Sequence, residues 1–405
     1  MKQADTQILD LLVRRSTANT RRLGIVSAAL LVAATATFLL SIVDVSAKDV
    51  PTPSSYIVYA GTYTGTGSKG IDGYRFDTAA GRLSSLGLKA EIENPSFVVT
   101  DPGYRFLYAV TENDNGFLSS FAIDAKTGDL KFLNRVSSGG GGPCHLTVDK
   151  SSRLLFVANY GTGNVAAFAL NEDGSIGKMT GFDQHRGSSI NPNRQNGPHA
   201  HEVVLSPDNR FLFVPDLGTD QIAIYKVDSA KRTLTPNDPP FASVKAGAGP
   251  RHLVFGPGAR FAYVICEMGS SVAVFSFDPA KGSLTPVQTI SSLPVDFTGE
   301  NNSAEIQVGR SGRFLYVSNR GDDSIAVFAI DPAKGMLTKI QVIPTQGKSP
   351  RNFVIDPTGR YLLAANQKSD QIVEFAVDQA TGRLTPTGQV AQEPSPVSLV
   401  FVPGK

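Results

Sequence analysis

The chain repeats itself about every 50 residues, and this period constrains the fold more than any other feature. Six arginines mark the register: Arg105, Arg153, Arg210, Arg260, Arg313 and Arg360, spaced by 48, 57, 50, 53 and 47 residues. Each closes a turn of the type Asp-Pro-x-Gly-Arg or a variant of it, as in Asp356-Pro357-Thr358-Gly359-Arg360. Proline presets φ in such a turn and glycine accepts a positive φ. Short segments rich in Val, Ile, Phe and Tyr flank the turn, which is strand composition. A further strand ends in Asp, and Gly-x-Leu follows.

A seventh copy is split. The residues from Tyr56 supply the middle strands of a unit that lacks its first strand, and Pro396–Pro403 supplies that strand before the chain stops. A linear array would leave unpaired edges at both ends. Joining the last strand to the first unit removes them. The expected fold is therefore all-β: a seven-bladed β-propeller of four short strands per blade, its ring closed by the C-terminal strand completing the first blade. Residues 48–405 number 358, or about 51 per blade. Length alone would suggest two or three domains, and the repeat overrides that expectation. The 39 glycines and 25 prolines, with no long amphipathic helical pattern after the first 50 residues, fit the same reading.

The N-terminus is of another kind. Arg14, Arg15, Arg21 and Arg22 precede an apolar run over residues 24–43, and Val45-Ser46-Ala47 offers small residues for cleavage. Residues 1–47 read as a signal peptide or, if retained, a membrane anchor, since about 20 apolar residues can span a bilayer. Thr20-Arg21-Arg22-Leu23 fits either a twin-arginine signal or a generic basic leader. Both readings place residues 48–405, the propeller domain, in the periplasm or outside the cell. The leader supplies all of the +2 formal charge, and the remainder is balanced at 33 basic and 33 acidic residues. A balanced body without a basic block excludes a nucleic-acid surface. No apolar stripe calls for assembly, so a monomer is expected. Cys144 and Cys266 fall in different blades, near opposite sides of the ring by the repeat register, and no disulfide is expected between them.

The same register places a site. Each innermost strand begins at the mouth of the central channel. Eight residues before each turn arginine stand Phe97, His145, Glu202, His252, Glu305 and Asn352, with Ser398 equivalent in the split blade. One residue earlier stand Ser96, Cys144, His201, Arg251, Ala304, Arg351 and Val397. Four of the five histidines, His145, His199, His201 and His252, lie at or beside this ring. Polar side chains that line a channel can serve only to bind water and satisfy backbone groups. A ring that gathers His, Glu and Arg from different blades is also what ester hydrolysis needs: a base for water, donors for an oxyanion, and a cation for an anionic substrate.

The stretches YAGTYTGTGSKGI around Tyr59, GPHAHEVVLSPD around His199, GPRHLVF around Arg251 and TGENNSAEIQVGRSGRFLYVSNRG around Glu305 carry a resemblance. On these the chain resembles, over residues 55–403, the propeller-type 6-phosphogluconolactonase family, of which a fungal carboxymuconate cyclase is a relative. The resemblance implies hydrolysis of a small sugar-type lactone without a cofactor, and it supports His145, Glu202 and Arg251 as catalytic residues. The residues themselves suggest His145 and Glu202 as acid and base, and Arg251, assisted by Arg351, for an anion or oxyanion. His199, His201, His252 and Glu305 would complete substrate binding. An exported chain departs from the cytosolic setting of a phosphorylated sugar lactone.

Other readings stay open. The ring could run a cyclisation or isomerisation, or the propeller could bind a ligand or protein partner without chemistry. His199-Ala200-His201-Glu202 could ligate zinc, although His199 stands before the strand. Gly65–Gly70 matches GxGxxG, but a strand rather than a helix follows, so a hairpin loop is expected. The ends of the second strands (Glu112, Asn159, Asp216, Glu267, Asn319 and Asn366) read mainly as turn residues, of which Glu112 and Glu267 could reach the site. The polar loop Asp183–Pro198, with His185, Arg186 and Arg194, should lie over the channel mouth as a substrate lid or a mobile surface loop.

Overall fold

The computed structural model describes Pro53, residues 55–65 and residues 67–404. The expected leader, with its apolar run 24–43 and proposed cleavage site, lies outside the described residues, as does Thr66 of the Gly65–Gly70 loop. The described residues form seven four-stranded antiparallel sheets. Their only helical elements are two 3₁₀ turns, Pro257–Ala259 and Gln367–Ser369. Blade 1 runs from the channel outward as Pro396–Pro403, Ser55–Thr62, Gly70–Asp77 and Arg82–Glu91. Tyr56 pairs with Pro403 and Ala60 with Leu399, so the C-terminal strand closes the ring as expected. Blades 2 to 7 follow in chain order, with innermost strands Val98–Thr100, Pro143–Val148, Val204–Leu205, Pro250–Phe255, Asn302–Val308 and Pro350–Ile355.

The core lies between the blades. Tyr108, Val110 and Leu118 of blade 2 pack on Leu146, Val157 and Phe168 of blade 3. Tyr74 and Phe76 of blade 1 pack on Leu363 and Ile372 of blade 7. Every other neighbouring pair has a cluster of the same kind. Each fully buried large apolar side chain contributes roughly 1.5–3 kcal/mol. Alternate residues of one strand therefore serve two different interfaces, because successive side chains point to opposite faces.

The repeated turn has a repeated reason. Asp101, Asp149 and Asp356 accept backbone N–H groups from the far side of their turns: Asp149 Oδ1, for example, from Arg153 at 2.6 Å and Leu154 at 2.8 Å. The residue before each turn arginine has positive φ, which only Gly312 and Gly359 meet without a Cβ penalty. The arginine itself is a tie between blades. Arg210, Arg260, Arg313 and Arg360 each donate to a carbonyl in the outer hairpin of the next blade, at Pro279, Pro332, Gln379 and Thr78. The last of these spans the closure from blade 7 to blade 1. Cys144 and Cys266 are free and buried. They sit in blades 3 and 5 with one blade between them, which corrects the expectation of near-opposite positions.

Candidate active site at the channel mouth

The residues of the expected ring converge. Each stands at or just before the start of an innermost strand, and antiparallel pairing to the second strand sets which side chain faces the channel. His145, Glu202, His252, Glu305, Asn352 and Ser398 are all buried, as are Ser96, Cys144, His201 and Arg251. The rings of His145 and His252 are 5.1 Å apart, His252 and His201 5.3 Å, and Phe97 covers His145 at 4.0 Å.

Part of this ring is structural. Ser398 Oγ accepts the N–H of Val98 in the next blade at 3.2 Å, and Asn352 Oδ1 that of Leu399 at 3.0 Å. Glu202 Oε2 accepts the N–H of Leu253 at 2.5 Å, and His145 Nδ1 that of Val203 at 3.5 Å. Four ring residues, from blades 3, 4, 7 and 1, thus satisfy the backbone of the next blade's inner strand, a partial belt around the channel.

The same residues form two imidazole–carboxylate pairs. His145 Nε2 lies 3.6 Å from Glu202 Oε1, and His252 Nδ1 lies 3.4 Å from Glu305 Oε2. Since His145 Nδ1 accepts from Val203, its Nε2 carries the proton that faces Glu202. His252 Nε2 accepts from Arg251 Nη1 at 3.2 Å, so its proton faces Glu305. Glu305 is fully engaged, by Asn352 Nδ2 at 2.6 Å and the N–H of Ile306 at 3.0 Å. Glu202 Oε1 has only the distant His145.

Burial pushes His145, His201 and His252 well below the usual imidazole range, with Arg251 adding to it in each case. Burial raises Glu202 well above the usual carboxylate range, with help from Glu305, and raises Glu305 to about 7. Glu267 is the exception. Burial acts to raise it, but Arg320, Arg251 and Arg194 outweigh burial and hold its carboxyl at about 2.

Glu267 belongs to a second ring that the sequence reading only half found. Seven residues after each turn arginine, just past the second strand, stand Glu112, Tyr160, Leu217, Glu267, Arg320 and Gln367, with Tyr63 equivalent in blade 1. Glu267 Oε2 accepts from Arg251 Nε at 3.1 Å and Arg320 Nη2 at 2.8 Å, and Oε1 from Arg194 Nη2 at 2.8 Å. Tyr63 donates to Glu112 at 2.9 Å. Glu112 and Glu267 do reach the site, while Asn159, Asn319 and Asn366, one residue earlier, tie down loops by donating to Ser138, Ser292 and Thr345 carbonyls. Tyr63, Tyr160 and Arg320 were missed, although the +7 register would have found them.

Arg351 differs from Arg251. Among the described residues its guanidinium makes no hydrogen bond and no ion pair; it lies 5.4 Å over the ring of Tyr63. Burial would lower it, but Tyr63, Glu112 and Glu267 outweigh that and keep it charged. It opens, with Arg320, Lys348 and Lys368, onto a 580 Å³ pocket between blades 6 and 7. His199 does not join the ring: it stacks on Tyr160 at 4.5 Å and bonds the Tyr160 carbonyl through Nδ1 at 2.9 Å. With His199 turned away, His199, His201 and Glu202 do not share one face, and no group of three or more His, Cys, Asp or Glu among the described residues is placed to hold a metal ion. The loop before His199 starts at His185 rather than Asp183, since the outer strand of blade 3 runs to Gln184. It is pinned by Gln195, fully buried and donating to the Leu217 carbonyl at 2.8 Å, and Arg194 carries it to the mouth.

Comparisons agree with this geometry. The profile of the family described as "Lactonase, 7-bladed beta-propeller" matches residues 57–401. A 6-phosphogluconolactonase of Bacillus subtilis is 36% identical over 306 residues, covering 75% of this chain and 86% of that one. A 6-phosphogluconolactonase of Formosa agariphila is 36% identical over 295 residues, 71% and 83% of the two chains. The structure of a Pseudomonas aeruginosa periplasmic gluconolactonase superposes with TM-score 0.82 at 37% identity, over 86% of this chain and 99% of that one. A Lactobacillus plantarum protein gives TM-score 0.81 at 34% identity, over 86% and 99%. A ring closed by its last strand, a mouth of paired histidines and carboxylates, and a profile match over almost the whole propeller lead to one assignment: the chain belongs to the seven-bladed β-propeller lactonase family.

Proposed function

We propose that this protein hydrolyses a small, anionic sugar-type lactone at the channel mouth. The similarity to 6-phosphogluconolactonases and to a gluconolactonase supports lactone opening. The observation that carries the site is the His145–Glu202 pair set beside two arginines, one of them unpaired. Glu202 Oε1 takes a proton from the attacking water; burial raises its basicity toward neutral pH. His145 Nε2–H orients the carboxylate, and the protonated Glu202 returns the proton to the leaving alkoxide. Arg251, aligned by Glu267, stabilises the oxyanion that forms at the carbonyl. Arg351 binds the substrate's anionic group, a partner that its half-buried guanidinium otherwise lacks. His201, His252 and Glu305 frame the ring of the lactone, and His199 shapes the rim through Tyr160.

The leader and the likeness to a periplasmic enzyme support an exported protein. The test is acid release in a pH-stat with the purified protein and gluconolactone, its 6-phosphate, other aldonolactones and an acyl-homoserine lactone. A rate well above buffer that disappears in Glu202→Gln and His145→Ala is the expected result. No rate with any lactone would move the reading to cyclase chemistry or to a binding propeller.

A further inference from the structure

Blade 4 carries His199–Glu202 without a regular inner strand. Blades 3, 5 and 7 start theirs at Pro143, Pro250 and Pro350, whereas that of blade 4 is only Val204–Leu205. The residues before it are held by an isolated bridge between Ala200 and Asp216, by His201 N donating to the Pro215 carbonyl at 2.9 Å, and by Leu217 N donating to that of His199 at 3.0 Å. Asp216 is the anchor. Its Oδ1 accepts the N–H groups of His199 at 2.8 Å, Gly218 at 3.0 Å and Thr219 at 3.1 Å.

In blades 3, 6 and 7 the position of Asp216 is Asn159, Asn319 and Asn366. Each donates Nδ2 to the carbonyl of the residue just past the preceding blade's outer strand: Ser138, Ser292 and Thr345. The residue in that place before blade 4 is His185, one past Gln184. Here the tie is kept in position and reversed in polarity. His185 Nδ1 meets Asp216 Oδ2 at 2.6 Å, with the imidazole 7% and the carboxylate 1% exposed. His185 Nε2 lies 2.9 Å from the hydroxyl of Tyr225, which donates to Asp183 Oδ2 at 2.7 Å. The phenol's one proton goes to Asp183, so its oxygen faces Nε2 while Nδ1 faces the Asp216 carboxylate.

We propose that His185, the one histidine outside the mouth, is a positioning residue: it locks Asp216, and Asp216 sets the His199–Glu202 segment so that the Glu202 carboxylate faces the channel. A charge-assisted bond to a buried carboxylate supplies the rigidity that the short strand does not. The kinetic arm of the test rests on the hydrolysis reading, and the structural arm does not.

Three variants of the full chain decide it: His185→Leu, His185→Asn, whose Nδ2 can take the place of Nδ1–H, and Tyr225→Phe. In His185→Leu the amides of residues 199–202 should exchange hydrogen about tenfold faster, and kcat should fall about tenfold or more while KM moves little. His185→Asn should restore most of both. Tyr225→Phe, which removes only the far end of the chain, should show a smaller rise in exchange, and it stands in for His185→Leu should that variant not fold. Unchanged exchange over 199–202, or an Asn variant as impaired as the Leu variant, overturns the proposal. Should the wild type open no lactone, exchange alone decides the role of His185 and the hydrolysis reading falls separately.

Discussion

Positions on both halves of the mouth do the same backbone work with different chemistry. On blades 7, 1 and 2 the ring positions are Asn352, Ser398 and Phe97; on blades 3 to 6 they are His145, Glu202, His252 and Glu305. Asn352 and Ser398 show that a neutral side chain is enough to accept the next blade's N–H. Glu202 meets the same need with a carboxylate whose burial costs free energy. The belt explains why Asn352, Ser398, His145 and Glu202 are polar. It does not explain why one half is ionisable, and that excess points to chemistry.

The sharpest way to break this contrast is Glu202→Gln. The amide oxygen still accepts from Leu253, so thermal stability should stay within about 2 °C, while kcat/KM for the lactone substrate should fall roughly 10²–10⁴-fold. Wild-type turnover in a folded Gln variant would reduce Glu202 to the role of Asn352. Next in size is Arg351→Gln. Losing a charge-assisted contact of about 1.5–3 kcal/mol should raise KM for an anionic lactone roughly 10–100-fold and leave a neutral one little changed. Steady-state kinetics on a charged and an uncharged substrate reads this directly.

The pH profile sharpens the same half of the ring. A base must be ionised, so kcat/KM should fall as pH drops through the raised pKa of Glu202, nearer neutrality than an ordinary glutamate would give. A profile flat down to the usual carboxylate range would count against Glu202 as the base. On the other half, Asn352→Leu should cost stability rather than chemistry. It strands the Leu399 N–H and takes a donor from Glu305, about 1–3 kcal/mol by denaturant unfolding.

The smallest effect concerns a buried carboxylate outside the mouth. Glu374 of blade 7 is buried, and burial, outweighing a bond from Thr387, raises it to about 7 from an ordinary 4.5. Its folded pKa is raised, so its contribution to stability is full below about pH 4.5 and is lost as pH rises through about 7. Glu374→Gln should therefore raise Tm by a few degrees at pH 8 and hardly at pH 5. An equal change at both pH values would show that the side chain is not ionising there.

The register of the turn arginines made the fold and the inner ring legible, because period and strand polarity are local properties of the sequence. The outer ring was less so: Arg320 and Tyr160 sit where a strand gives way to a turn, and there a polar or aromatic residue reads as punctuation. His185 was hidden differently. Its loop looks like a mobile polar insertion, and only pairing across two blades shows that it stands where Ser138, Ser292 and Thr345 stand. Asp216, read as a turn residue, is one, since it caps Gly218 and Thr219, but it is also the link to the site.

Closure by Pro396–Pro403 sets the order in which this molecule can become itself. Ser55–Thr62 is the first of the described strands in chain order, and its inner partner is the last of them. The clasp is secured by bonds such as Tyr74 to the Gln392 carbonyl at 3.0 Å, 318 residues apart in the chain. Until Pro396–Pro403 is made, the chain is an open arc with a bare inner edge on blade 1, and Asn352 lacks the Leu399 N–H that it accepts. Ring closure thus waits for this strand and is slow to nucleate, because its contact is among the longest in sequence.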